Sequence, residues 1–167
     1  MKIVLETERL RLREMSTSDA KFMLALLNEP AFIKNIGDKG VRNLEDAKHY
    51  ILEGPAASYE QNGFGLYLVE LKVSHTPIGM CGLVNRDSLD DVDVGYAFMP
   101  DFWSKGYAVE SAAAIMTYGK DTLELDRIVG ITASDNAGSI KVLKKIGLTF
   151  DRMITLPGDD EEIMLFS

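Results

Sequence analysis

The chain holds a single cysteine, Cys81, so it forms no internal disulfide. Its 167 residues are enough to bury a core without covalent staples. Cys81 lies in the apolar, strand-like run Ile78-Gly-Met-Cys-Gly-Leu-Val84, the setting of a buried structural thiol rather than of a nucleophile. Histidine is scarce too. His49 and His75 sit in polar surroundings with no ligand spacing around them, so no metal site is expected. No apolar stretch approaches the ~18 residues that a membrane span needs. The opening Met-Lys-Ile-Val-Leu-Glu-Thr-Glu-Arg turns charged at once and lacks a signal peptide's apolar run. The expectation is a cytoplasmic protein with no membrane partner. Lys and Arg number 18 against 26 Asp and Glu, a net charge of −8. That argues against a nucleic-acid partner, which requires a basic surface. Acidity suits a cationic substrate, but it also serves solubility alone. The P-loop pattern and the three-glycine dinucleotide fingerprint are both absent.

What is present reads as one domain over 1–167, with no repeat, low-complexity segment or linker. Arg9-Leu-Arg-Leu-Arg13 alternates like a strand with one buried face. Ser16-Thr-Ser-Asp19 offers caps for a helix with Phe22, Met23, Leu26 and Leu27 on one stripe, which Pro30 ends. Residues 31–42 read as a loop. Asn43 caps a second helix carrying Leu44, Ala47 and Ile51, and Gly54-Pro55 interrupts it. Three strands follow, Phe64–Val73, Ile78–Asn85 and Val92–Met99, the last stopped by Pro100. A helix from Gly106 to Lys120 places Val109, Ala113 and Met116 on one face. Next come a short strand, Arg127–Thr132, and a helix, Ala137–Ile146, with Ile140, Leu143 and Ile146 inward and Gly147 as its stop. Two strands close the chain, around 148–156 and 163–166. This order implies an α/β fold: a mixed sheet with helices on both faces.

One segment carries chemistry. In Val94-Gly-Tyr-Ala-Phe-Met-Pro-Asp-Phe-Trp-Ser-Lys-Gly-Tyr-Ala108 a strand ends, a short loop holds Ser104, Lys105 and Gly106, and a helix begins. A helix N-terminus presents free N–H groups and partial positive charge, which suits phosphate. Gly106 and Ala108 are small enough to let a diphosphate reach the backbone, and Lys105 adds charge. An ordinary tight strand-to-helix turn is the competing reading. The next strand leads into Asp135-Asn-Ala-Gly-Ser139, where Asn136 can cap a helix and Ser139 lies in its first turn.

Together the two segments resemble the GNAT superfamily of N-acetyltransferases. The six positions of the family's coenzyme A signature, Gln/Arg-x-x-Gly-x-Gly/Ala, are here Trp103-Ser-Lys-Gly-Tyr-Ala108, with Trp at the first. Its second signature, Asn-x-x-Ser/Ala followed by Gly-Phe, corresponds to Asn136, Ser139 and Gly147-Leu148, with Leu148 in place of the usual Phe, a mild packing change. Trp103, Glu110 and the opening Glu6-Thr-Glu-Arg-Leu-Arg-Leu-Arg13 are similar to the branch that acetylates N-termini of ribosomal proteins, the RimJ/RimL-like enzymes. The resemblance implies a mostly antiparallel mixed sheet splayed between two parallel strands, Val92–Met99 and Arg127–Thr132, with acetyl-CoA held in the splay. It implies pantetheine along the backbone of Tyr96, Ala97 and Phe98. The diphosphate would be cradled by N–H groups of Ser104, Lys105, Gly106, Tyr107, Ala108 and Val109, and Asn136 would touch pantetheine or brace the site. Free N–H groups in the splay would polarise the thioester carbonyl.

The chain departs from the family where catalysis is concerned. The position of the usual general-acid tyrosine is Leu143, and that of a glutamate base found in some relatives is Ile131. Asp93 is the candidate base, against a reading in which it faces solvent or pairs with a basic residue. Ser139 is the candidate hydroxyl for the departing sulfur, against a reading in which it only bonds the backbone of its helix. Glu110 reads as structural, and Trp103 and Tyr107 as packing residues. Loops near 28–42, 53–63, 86–91 and 157–162 would form the acceptor pocket, with Phe32, Asn35, Asp87, Asp90 and Asp159 as lining residues. The partners expected are acetyl-CoA and an amine acceptor: a peptide or protein N-terminus, or alternatively a polyamine, amino acid or aminoglycoside. A non-catalytic acyl-CoA-binding module remains the different class of function, and the chain would be a monomer or a homodimer.

Overall fold

The structure is a computed structural model that describes residues 2–167. The chain runs β1 (Ile3–Glu6), β2 (Leu10–Arg13), α1 (Ala20–Leu27), α2 (Pro30–Asn35), α3 (Leu44–Ile51), α4 (Ala57–Asn62), β3 (Leu66–Leu71), β4 (Pro77–Val84), β5 (Val92–Phe98), α5 (Tyr107–Asp121), β6 (Ile128–Thr132), α6 (Ala137–Lys145), β7 (Phe150–Ile154) and β8 (Ile163–Phe166). The strands lie in the order β1-β2-β3-β4-β5-β6-β8-β7. Every neighbouring pair is antiparallel except β5 and β6, which are parallel. The element order predicts the mixed sheet, and the family resemblance its mostly antiparallel pairing.

Helices cover both faces, and the strands' alternation divides the core accordingly. Leu10, Leu12, Tyr67, Val69, Val94 and Phe98 pack with Ile115 of α5 and Leu143 of α6. Leu68 and Met80 pack on the opposite face with Met23, Leu26, Ala47 and Ile51 of α1 and α3. Cys81 is fully buried in the first cluster, where burial pushes its thiol up to about 12, so it is inert.

Several elements differ from the sequence expectation. β1 lies in the charged opening and pairs with β2, with a register shift between Ile3 and Leu5. β2 is covered on both faces rather than one. Its charged residues Arg11 and Arg13 turn toward Glu70 of β3, and Arg13 also makes a two-toothed pair with Asp19 at the start of α1. Residues 31–42 are not simply a loop. α1 ends at Leu27, and Pro30 opens α2, since its fixed φ and missing N–H suit the first helical position. Gly54-Pro55 does not stop the second helix: α3 continues through a π-helical turn, Leu52–Ala56, into α4, and Gly63 at φ +80° ends the run. Asn43 caps α3 as expected, its Oδ1 accepting from the Asp46 N–H at 2.8 Å, but Leu44 is exposed. In α5 the buried face is Ser111, Ala112, Ile115, Met116 and Gly119, one step around from Val109 and Ala113. In α6 Leu143 is fully buried, while Ile140 and Ile146 are partly so.

Candidate active site

β5 and β6 pair over only two positions, Val92 with Ile128 and Asp93 with Val129. Beyond them the strands part. A cleft of about 1000 Å³ opens there, lined on one side by Val94 to Phe98 and on the other by Ile131, Thr132 and Ala133. Met99 N–H bonds Ile78 O toward β4. Antiparallel alternation therefore turns the backbone groups of Val94, Tyr96 and Phe98 away from β4, toward the gap. The Phe98 carbonyl is taken by the Trp103 indole N–H at 2.8 Å, which pins the loop after β5.

That loop delivers the N-terminus of α5 to the cleft. Ser104 and Gly106 both adopt positive φ, +60° and +85°, which swings the backbone into the helix. Glycine suits the second of these because it has no Cβ to clash there. No side chain caps α5, so the N–H groups of its first turn are left for a ligand. Ser104, Gly106, Tyr107, Ala108 and Val109 line the cleft. Lys105 does not. Its carbonyl accepts from Arg9 Nη1 at 3.0 Å, and its side chain is exposed. Arg9 also stacks on the Tyr107 ring at 4.4 Å and pairs with Glu110 at 2.7 Å. Glu110 further accepts from the Thr7 hydroxyl and the Arg9 N–H. Burial works against the Glu110 charge, but these hydrogen bonds outweigh it and hold the carboxyl below its ordinary range. Glu110 thus ties the β1–β2 turn to the α5 loop, which accords with its structural reading.

Across the cleft, α6 contributes Asn136, Gly138, Ser139, Lys141, Val142 and Lys145. Asn136 Oδ1 accepts from the Ser139 N–H at 3.2 Å, the cap anticipated from sequence. The Ser139 hydroxyl does not bond the backbone of its own helix: its Oγ is 2.9 Å from the Tyr96 hydroxyl, which also donates to the Ser139 carbonyl at 3.1 Å. Burial pushes the Tyr96 phenol up to about 12 against the lowering effect of Ser139. Leu143 packs under Gly130 in the core, outside the cleft.

Asp93 also lines the cleft, on the opposite face of β5 from Tyr96. It is 1% exposed, and Arg86 Nε donates to its Oδ1 at 2.8 Å. Burial raises its carboxyl above the ordinary range, and the Arg86 charge and hydrogen bond oppose that rise. Asp93 is therefore both buried at the cleft and paired. Sequence reasoning missed Arg86, although hairpin spacing signals it: Val84 faces Asp93, which brings the residues just beyond Val84 alongside. Tyr50, Lys39, Lys141 and Lys145 were also missed as lining residues, because nothing local marks a side chain that only the packed sheet turns toward the gap. Of the acceptor-side residues named from sequence, Phe32, Asn35 and Asp159 line the cleft. Asp90 lines a separate groove of about 290 Å³ beside Arg127 and Arg152, and Asp87 lines neither.

Residues 9–149 match the family described as Acetyltransferase (GNAT) domain. The chain is 28% identical over 146 residues to the uncharacterized N-acetyltransferase YoaA of Bacillus subtilis, covering 86% of this chain and 81% of YoaA. It is 30% identical over 142 residues to the uncharacterized N-acetyltransferase YnaD of the same organism, covering 85% of this chain and 80% of YnaD. A solved structure of RimL, a ribosomal L7/L12 α-N-protein acetyltransferase in complex with coenzyme A, superposes with a TM-score of 0.84 at 17% identity, covering 99% of this chain and 96% of that one. The chain belongs to the GNAT acetyltransferase family and is an acetyl-CoA-dependent enzyme that acetylates an amine. Among the described residues, no helix is long and apolar enough to cross a membrane, and no three metal-ligating side chains are grouped to hold a metal ion.

Proposed function

We propose that the acceptor is an α-amine at the N-terminus of a peptide or protein, acetylated by direct transfer in a ternary complex within one cytoplasmic domain spanning 1–167. The observation that carries this reading is the carboxylate inventory of the cleft. Glu29, Asp93 and Asp159 line it, only Asp93 is fully buried, and Arg86 already holds it. A lysine side chain, with a reference pKa near 10.4, needs a strong base, whereas an α-amine near 8 needs little help. RimL, by its name an α-N-protein acetyltransferase, has the same fold.

The residues present fit acetyl-CoA. The loop residues Ser104 and Gly106 and the uncapped first turn of α5, Tyr107 to Val109, offer N–H groups for the diphosphate. Lys141 and Lys145 supply positive charge on the same cleft in a protein of net charge −8. Backbone groups of Tyr96 and Phe98 face the gap where pantetheine would run, those of Ala97 point to β4 instead, contrary to the sequence expectation, and Asn136 braces the far wall. Bound there, acetyl-CoA supplies an activated acyl group on a thiol leaving group. The backbone N–H of Tyr96, turned toward the gap, is placed to polarise the carbonyl. Asp93 receives the proton that the amine loses, directly or through water. Ser139 faces the departing sulfur.

The test is an acceptor screen that measures released thiol, followed by mass spectrometry of the acetylated products. Acetylation of peptide N-termini is expected. Transfer confined to lysine side chains, or to polyamines, would overturn the assignment of the acceptor.

A further inference from the structure

Beside Asp93 the cleft carries donors that have no partner among the described residues. Arg86, in the turn between β4 and β5, spends its Nε on Asp93 Oδ1 at 2.8 Å. Its Nη1 and Nη2 make no hydrogen bond, and no buried side-chain nitrogen of the described residues lacks a partner, so both open to the cleft that Arg86 lines. Lys39, between α2 and α3, lines the same cleft and pairs with no carboxylate. Its neighbour Asp38 is already taken by Arg42 Nη2 at 2.5 Å and the Gly40 N–H at 2.8 Å. Tyr50 of α3 adds a phenol with no hydrogen-bond partner, again open to the cleft. Glu29 and Asp159 line the cleft too, and neither pairs with Lys39 or Arg86. We infer that Arg86, Lys39 and Tyr50 form a carboxylate subsite, so that the preferred acceptor carries an anionic group close to its amine: a peptide whose first residue is acidic. The inference rests on the peptide-acceptor reading and narrows it. A free amino acid shares the same chemistry, and the test below separates the two sources.

Position separates this subsite from the diphosphate's. Asp93 and Tyr96 point to opposite faces of β5. Tyr96 bonds Ser139 of α6, whereas Phe32 and Tyr50 belong to the cluster on the other face of the sheet. Along β5, at about 3.3 Å per residue, Asp93 and Phe98 stand ~17 Å apart, and the α5 turn lies beyond Phe98. A diphosphate on that turn leaves Arg86 and Lys39 without an anion. Electrostatics agree. Lys39 is exposed overall, yet partial loss of water, and then the Arg86 charge, lower its ammonium below the ordinary value, and no carboxylate opposes them. Burial raises the Tyr50 phenol against the Arg86 charge, so at neutral pH it keeps its proton and donates. Two like charges this close repel, and an anion between them turns repulsion into attraction. The arginine fork keeps its Nη donors for a carboxylate after Nε has bonded Asp93. Because Nε holds the group that takes the amine's proton, an anion on Nη lies about two hydrogen bonds, ~6 Å, from that amine. This reach joins the amine and side-chain carboxylate of an N-terminal aspartate or glutamate. A polyamine would meet like charge there, although the chain as a whole carries −8.

The test compares two peptides that differ only in the first residue, aspartate or its amide counterpart asparagine, alongside free alanine and alaninamide. Arg86 touches Asp93, so changing it alters base and subsite together; Lys39 stands apart from Asp93 and isolates the subsite. In wild type, kcat/KM should be about 10-fold or more higher for the aspartate peptide, the scale of charge-assisted hydrogen bonds, and the difference should lie in the peptide's KM. Lys39→Met should cut that preference several-fold, and Lys39→Glu, which reverses the charge, should bring it to about one. Melting temperatures verify the fold of both variants. A second readout needs no turnover: with coenzyme A, which has no acetyl group to transfer, calorimetry should rank the two peptides in the same order, and added salt should weaken the aspartate peptide more. Equal kcat/KM for the two peptides in wild type, or a preference that Lys39→Glu leaves in place, overturns the proposal and leaves the peptide-acceptor reading standing. Acetylation of free alanine in preference to alaninamide, with both peptides inert and unbound, would keep the subsite and overturn the peptide reading instead.

Discussion

The Tyr96 hydroxyl bridges the two walls of the cleft, 2.9 Å from Ser139 Oγ. The Ser139 hydroxyl thus bonds across the cleft rather than back onto its own helix, and the role proposed for it at the sulfur has a kinetic signature. Ser139→Ala lowers kcat by about 10-fold, inside the ~10²-fold low end for acid assistance, and barely changes KM for acetyl-CoA. Steady-state kinetics on both proteins decides it. A mutant with wild-type kcat returns Ser139 to the helix.

Gly106 should be limited by two separate constraints. At φ +85° an alanine would cost about 1–2 kcal/mol of stability, and valine more, whatever the ligand. Asparagine tolerates this region of φ, so Gly106→Asn isolates the second constraint, the space a diphosphate needs at the backbone. Its Cβ would stand 3.2 Å from the flexible end of Arg9, which can shift. Calorimetry should show at least a tenfold loss of acetyl-CoA affinity with little change in melting temperature. Equal affinities would remove this loop from the binding site.

Asp93 should leave its mark on the pH profile. A base works when deprotonated, and burial raises the Asp93 carboxyl above its ordinary ~3.9. Thus kcat/KM should fall as pH drops through that raised value, apart from a second rise near pH 8 as the free α-amine deprotonates. Asp93→Asn should abolish the lower limb and cost about 10²-fold in kcat. Arg86→Met removes the influence that holds the carboxyl down, so the limb should move to higher pH. If Asp93→Asn is as active as wild type, the Asp93–Arg86 pair is purely structural.

The pair between Arg13 and Asp19 is buried, with side chains 8% exposed on both sides. Replacing Asp19 with Ala leaves Arg13 only its longer contact with Glu70, 3.3 Å, and should cost about 1.5–3 kcal/mol, read from urea unfolding. Burial works to raise the Asp19 carboxyl, but the Arg13 hydrogen bonds, the Ser16 N–H and the Arg13 charge outweigh it and lower the value. Asp19 therefore stabilises the fold above its unfolded value near 3.9, and that stability is lost as pH falls through the lower folded value. The wild-type urea midpoint should drop between about pH 5 and pH 2, with Asp19→Asn showing a flatter profile. Matching slopes would contradict the pair's role.

Much of this was legible in the chain because it depends on local chemistry. Apolar, β-forming runs bounded by turn signals mark the strands Leu66–Leu71, Pro77–Val84 and Val92–Phe98, as expected of a sheet covered on both faces. Asn43 and Asn136 mark helix starts because a short carbonyl side chain can reach the free N–H groups. Gly106 marks the turn into α5 because few other residues accept its φ. Where sequence reading failed, the local signal was ambiguous: Pro30 can end one helix or open another, and Gly54-Pro55 can break a helix or ride through a π turn. Tertiary structure alone decided the rest. The parting of β5 from β6 after Asp93 arises from packing across the whole sheet and has no residue code. Nor do the meetings of Tyr96 with Ser139, of Arg86 with Asp93 and of Arg9 with Glu110 have one, since each joins side chains from separate elements. The chain itself specified which groups could bind a phosphate or share a proton; only the folded sheet specified which of them meet.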